Sequence, residues 1–152
     1  MNYIKMVEEF HNAFGAPILE TPQIPSKERC DLRISLISEE LDEMKEAIEK
    51  GDVIEVADSL GDLMVVLCGS ILEFGMGDKF DELFLEVHRS NMSKACSSQQ
   101  EAIQTLLHYK EKDGTEGYYK EVDGKWLVYR KEDNKVLKSI NYSPANLVDI
   151  LN

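Results

Sequence analysis

Apolar residues recur every three or four positions through the first two thirds of the chain, the spacing of helices with one buried face. Ile4, Met6, Val7, Phe10 and Phe14 mark a first helix that Gly15 and Pro17 stop. After the Pro-bearing connector "LETPQIPSKE", Ser26 is placed to cap a long second helix that closes at Gly51. Asp52 caps a third, ended by Gly75 in "EFGMG", and a fourth runs from about Asp78 through "DELFLEVHRSNM". "SSQQEAIQTLLHYKEKDG" predicts a fifth helix with a Gly stop. The period then changes. "YYKEVDGKWLVYRKEDNKVLKSI" interleaves Tyr, Val, Trp and Leu with charges, and Asp123-Gly124 and Asp133-Asn134 sit at the turns, which predicts a small β-meander. "SPANLVDIL" predicts a short last helix capped by Ser143, with Pro144 at its first position. The expected fold class is all-α, a bundle of four or five helices in a single domain over 1–152. An inserted helix plus β-meander flap occupies 97–142 and a C-terminal helix 143–152. A chain of 152 residues is of the size that buries one core.

Acidic residues break the apolar pattern on two neighbouring helices. Each helical residue turns by about 100°. With Glu39 at zero, Glu40 falls near 100°, between Leu36 and Ala47 on one side and Ile37, Leu41, Met44 and Ile48 on the other. Glu43 falls near 40°, between Leu32 and Leu36, whereas Asp42, Glu46 and Glu49 lie mostly on the outer, solvated face. On the third helix Glu55, Asp58 and Asp62 share one face of a helix that is otherwise apolar nearly all round and is therefore expected to be buried. The Gly turn at 51 makes these helices antiparallel neighbours, so the two acidic stripes face each other.

Buried carboxylates without partners are costly, and like charges raise the cost, so a positive group must sit among them. Hard oxygen donors suit Mg²⁺, with Mn²⁺ able to replace it. Di-iron bundles need Glu-x-x-His on two helices, a condition this chain does not meet. Mg²⁺ held by a few carboxylates shares its remaining positions with substrate phosphates, which points to metal-assisted phosphoanhydride hydrolysis with a further carboxylate taking the proton of water.

Charge and cysteines narrow the partners. Lys plus Arg total 17 against 29 Asp plus Glu, a net charge of −12 that repels nucleic acid and anionic membranes. Cys30, Cys68 and Cys96 are scattered and unpaired in spacing, as expected of reduced thiols in a cytoplasmic protein, and indicate no zinc site. The first residues lack the pattern of a signal peptide, and "LMVVLCGSIL" is about half a bilayer crossing.

"EELDE" followed by "EVADSLGDL" resembles the EExxE and ExxD signature of the MazG-like all-α nucleoside triphosphate pyrophosphohydrolases, a superfamily that includes dimeric dUTPase-like and dCTPase-like enzymes and phosphoribosyl-ATP pyrophosphohydrolase. "LRISLISEE", "EFHNAFG", "VHRSNMSKA" and "GKWLVYRKEDNKVLKSINYSPANL" resemble flanking segments of the same group, which leaves residues from about 97 to 123 as an insertion. The resemblance implies Mg²⁺-dependent hydrolysis of a nucleoside triphosphate to monophosphate and pyrophosphate by a homodimer or dimer of dimers. The expected substrate is a pyrimidine dNTP such as dUTP or dCTP, in nucleotide-pool cleansing. Phosphoribosyl-ATP hydrolysis, or a non-catalytic nucleotide- or metal-binding regulatory module, is the alternative.

By resemblance Glu40, Glu43 and Asp62 are metal ligands and Glu39 the general base. Ser59 stands where the family often has Glu; Asp58, one turn before Asp62, is the expected replacement, with Glu55 as an outer ligand or a group behind the ligands. Asn91 and Lys94 are implied nucleotide contacts. Arg33, on the helical face of Glu40, and Lys135 and Lys138 supply positive charge for phosphates. Phe10 and Phe14 are candidates to stack a base whose edge His11 or Asn12 reads.

Overall fold

The computed structural model describes residues 1–152 and contains six helices and one two-stranded sheet. In chain order these are α1 (Tyr3–Phe14), α2 (Lys27–Lys50), α3 (Val53–Glu73), α4 (Phe80–Met92), α5 (Gln99–Asp113), β1 (Gly117–Val122), β2 (Lys125–Arg130) and α6 (Val148–Leu151). The fold is thus mostly helical with a small sheet near the C-terminus. The chain forms two compact units, Met1–Phe80 and Asp81–Asn152. No helix is long and apolar enough to cross a membrane.

In the first unit the helix boundaries follow local chemistry. Asn2 Oδ1 accepts from the Lys5 amide at 3.0 Å, and Ser26 Oγ takes the same part for α2. α2 closes on Gly51 in the left-handed region, and Asp52 Oδ1 at once accepts from the amides of Ile54 (3.0 Å) and Glu55 (3.2 Å) to start α3. This minimal turn lays α2 against α3. Val7 of α1 packs with Cys68 and Leu72 of α3 and with Ile4 and Ile18. The connector after α1 is tied to the end of α3 by Leu19 N–H to Leu72 C=O (3.0 Å) and Gln23 N–H to Phe74 C=O (3.1 Å). That approach demands glycine at 75: its φ is +70°, and a Cβ there would lie 1.9 Å from the Thr21 carbonyl oxygen.

The expectation that α3 is buried nearly all round does not hold within one chain. α1 and α2 flank it, yet Leu60, Met64 and Leu67 remain exposed, as do Ile34, Leu41 and Ile48 on α2. Two neighbouring helices cannot cover a helix apolar over most of its circumference.

In the second unit β1 and β2 pair antiparallel in a register running from Gly117 opposite Arg130 to Val122 opposite Lys125. Asp123 (φ 50°) and Gly124 (φ 75°) form the positive-φ hairpin turn. The expected meander is reduced to this hairpin with two isolated bridges, both made by β2: Tyr129 to Val136 and Cys96 to Trp126. Pairing stops because the chain leaves the sheet after Leu137, where the Ser139 amide bonds the Lys94 carbonyl and its hydroxyl donates to Glu101. Cys96, Ala102, Val128 and Leu137 make the core, with Leu106, Tyr109, Tyr119 and Trp126 around it.

The last helix also starts later than its cap signal predicts, at Val148. The Ser143 amide bonds Ser93 Oγ (3.0 Å), the Pro144 carbonyl accepts from Arg89 (3.0 Å) and the Asn146 amide donates to Glu86 (2.8 Å). Backbone groups at 143, 144 and 146 are committed to Ser93, Arg89 and Glu86 and do not enter the helix.

Candidate functional site

Glu40 is half-buried on α2, and its Oε2 atom is buried without a hydrogen-bond partner. Its carboxyl is held above the ordinary glutamate value, first by burial and then by the charges of Asp62, Glu43, Glu39 and Asp58. Four expected site residues from two helices, Asp62, Glu43, Glu39 and Asp58, therefore act on Glu40, and all four are carboxylates. Glu55, one turn nearer the start of α3, is not one of these four. Ser59, where the resemblance departs, is buried at 3% exposure, while its neighbour Asp58 is exposed and takes part.

As placed, no three His, Cys, Asp or Glu side chains converge on a point that would hold a metal ion. Glu39, Glu43, Asp58 and Asp62 are exposed. The donor set nevertheless fits a hard divalent cation. It is all carboxylate oxygen, and one of those oxygens is already desolvated and unpartnered.

His11 and Arg33 lie elsewhere in the unit, at 2% and 7% exposure. Arg33 Nη2 donates to Glu73 Oε1 and lies 3.3 Å from His11 Nε2. His11 Nδ1 is 3.0 Å from the Pro17 carbonyl. A carbonyl only accepts, so Nδ1 carries the proton and the Nε2 lone pair faces Arg33. Arg29 completes the group: its Nε donates to Glu73 Oε2 at 3.0 Å and its Nη2 to Oε1. Burial alone would raise the Glu73 carboxyl, but hydrogen bonds from Arg29 and Arg33 and their charges outweigh it and hold the group below the usual range. Gly69 makes room, since a Cβ there would meet Arg33 Nη1 at 2.5 Å and His11 Nε2 at 3.0 Å.

Glu73 and Arg29 were not anticipated from the sequence. The one available signal is a lone glutamate inside the apolar run "SILEFG". Phe10 and Phe14 form an exposed pair on α1, rings 4.5 Å apart and tilted by 33°.

In the second unit Lys94 Nζ donates to Asn91 Oδ1 at 2.7 Å, and Lys138 Nζ sits 4.2 Å above the ring of Tyr142. The Tyr142 hydroxyl, 3.0 Å from Ser90 Oγ, is held below its ordinary value by that hydrogen bond and by the charges of Lys138 and Lys94. Lys94, bonded to Asn91, and Lys138 thus both act on a tyrosine that no spacing rule singled out. Lys135 lies apart at the Asp133-Asn134 turn, its amide on Asp133 Oδ1 at 3.1 Å.

A family model described as phosphoribosyl-ATP pyrophosphohydrolase matches residues 7–91, more than half of the chain. The match spans α2 and α3 with all six acidic candidates. An uncharacterized protein of Acanthamoeba polyphaga mimivirus is 37% identical over 81 residues, which cover 50% of this chain and 32% of that relative. The chain therefore spans about a third of the length of that curated relative.

Proposed function

The chain belongs to the phosphoribosyl-ATP pyrophosphohydrolase family, and from that premise we propose that it is a divalent-cation-dependent nucleotide pyrophosphohydrolase, releasing pyrophosphate and leaving a nucleoside monophosphate. One observation carries the reading. Glu40 holds a buried, unpartnered carboxylate oxygen, and the charges of four further carboxylates act on it. A pair of scaffold helices has no use for that arrangement, because an apolar side chain at Glu40 would pack at lower cost.

In this reading Glu40, Glu43, Asp58 and Asp62 hold Mg²⁺, or Mn²⁺ in its place, with Glu55 behind them. When bound, the cation offsets phosphate charge and makes water more acidic. Glu39, exposed on α2 beside these residues, accepts the proton of the attacking water as the new oxygen–phosphorus bond forms and pyrophosphate leaves. The nucleotide contacts assigned to Asn91, Lys94, Lys135 and Lys138 rest on the resemblance. The exposed Phe10–Phe14 pair is assigned to the base. His11 and Arg33, bonded within the fold, support the helices rather than touch substrate.

A pyrimidine dNTP, dUTP or dCTP, is the proposed substrate, and pool cleansing the role. The description of the matching family favours a second reading, phosphoribosyl-ATP. A panel of dNTPs and phosphoribosyl-ATP with Mg²⁺, assayed separately for pyrophosphate and orthophosphate, decides between them. Tight nucleotide binding without release of pyrophosphate from any of them would replace the enzyme by a regulatory module. A second copy of the chain is the proposed occupant of the exposed Ile34, Leu41 and Ile48 of α2 and Leu60, Met64 and Leu67 of α3, giving a homodimer or dimer of dimers.

A further inference from the structure

Glu73 is 1% exposed, carries no reaction in the proposal above, and takes hydrogen bonds from two arginines of another helix. Its place relative to the acidic residues is set by helix geometry. Arg33 precedes Glu40 by seven residues on α2, and Glu73 follows Asp62 by eleven on α3. Both separations return to within about 20° of the same helical face, about 10 Å and 16 Å along the respective axes. The Arg33–Glu73 contact and the Glu40–Asp62 approach therefore belong to one seam between two antiparallel helices.

We infer that Glu73, gripped by Arg29 and Arg33, is a positioning residue that sets the register of α2 against α3 and so the spacing of the carboxylates at Glu40 and Asp62. This rests on the metal-binding reading given above. A slip of one residue along the seam moves a side chain by about 1.5 Å and turns it by about 100°, whereas a functional constellation tolerates roughly 0.5 Å. Apolar packing resists such a slip weakly because it is non-directional. A carboxylate held by the fork of Arg29 and by Arg33 is directional, since Arg29 uses Nε on one oxygen and Nη2 on the other.

Stability alone does not explain the network. Replacing a buried ion pair by well-packed apolar side chains is often neutral or favourable, and Arg33 Nε is buried here with no partner. His11 extends the hold to α1 through its contacts with Arg33 and the Pro17 carbonyl, and Gly69 is the position whose lack of a side chain lets the three elements meet.

The test is Mn²⁺ binding to the nucleotide-free full chain by isothermal titration, with the Mn²⁺-dependent rise in Tm as a second readout. Four proteins are compared: wild type, Glu73→Gln, Arg29→Met, and Val7→Ala, which loosens the α1–α3 core without touching the seam. Glu73→Gln and Arg29→Met are expected to weaken Mn²⁺ binding by about tenfold or more, while Val7→Ala, at a comparable loss of Tm, stays within about twofold of wild type. Should Glu73→Gln fail to fold, Arg29→Met carries the comparison. Unchanged Mn²⁺ affinity in Arg29→Met or in folded Glu73→Gln overturns the inference, as does an equal loss in Val7→Ala. A wild type that binds no Mn²⁺ sinks the metal reading itself, a result distinct from wild-type binding that the variants share.

Discussion

Glu40 and Glu73 are the same side chain in opposite electrostatic settings, on two helices that lie side by side. Burial and four like charges disfavour the ionised Glu40, while two guanidinium groups favour the ionised Glu73. Removing charge should therefore have opposite effects at the two places. Asp62→Asn and Glu43→Gln relieve repulsion around Glu40, so each is expected to raise Tm in metal-free buffer while abolishing pyrophosphate release. Turnover at the wild-type level in both variants would end the site assignment. Glu39→Gln, if it removes the general base, lowers kcat by about 10²–10⁴-fold with Mn²⁺ affinity intact, as steady-state kinetics and titration can check. Glu73 behaves differently with pH. Its folded value lies below its unfolded one, so its stabilising contribution is present above the ordinary glutamate value and is lost as pH falls through the depressed folded value. Glu73→Gln should cost about 3–5 kcal/mol at neutral pH, with the gap to wild type narrowing below about pH 4; urea unfolding at the two pH values measures it.

The helices themselves are set by short-range signals, and those signals were readable. Ser26, Gly51 and Asp52 mark the limits of α2 and the start of α3 where the structure has them, because a cap needs only a polar side chain within three residues of a free amide. The same rule failed for Ser143 and Pro144, whose backbone groups bond Ser93 and Arg89, some fifty positions earlier. Glycines separate local from long-range demands in the same way. Gly51 and Gly75 share a φ near 70°, but a Cβ at Gly51 would meet nothing within 4 Å and one at Gly75 would strike the Thr21 carbonyl. Gly51→Ala should cost only the left-handed penalty of about 1–2 kcal/mol. Gly75→Ala adds a backbone clash and should cost at least about 3 kcal/mol. Chemical denaturation of both variants tests the difference.

Taken together, the chain is acidic but unevenly so. The first unit has seven Lys and Arg against seventeen Asp and Glu, and the second has ten against twelve. The unit with the charge excess also exposes apolar residues of α2 and α3, so in the proposed homodimer the second copy covers them and leaves the acidic residues open to the proposed cation and nucleotide. Leu60→Glu combined with Leu41→Glu is expected to shift the wild-type assembly to monomer in sedimentation velocity, with helix content unchanged; a wild type already monomeric at high concentration refutes the homodimer. The period of the apolar residues, the caps, the hairpin turn and the acidic interruptions of α2 and α3 could all be read from residue order, because each depends on groups a few positions apart. Which charge meets which could not. Arg33 shares a helical face with Glu40 and was expected at the substrate, yet its partner is Glu73, forty residues away on α3. Spacing along a chain defines the face on which a side chain stands; only the register between packed helices defines what stands opposite.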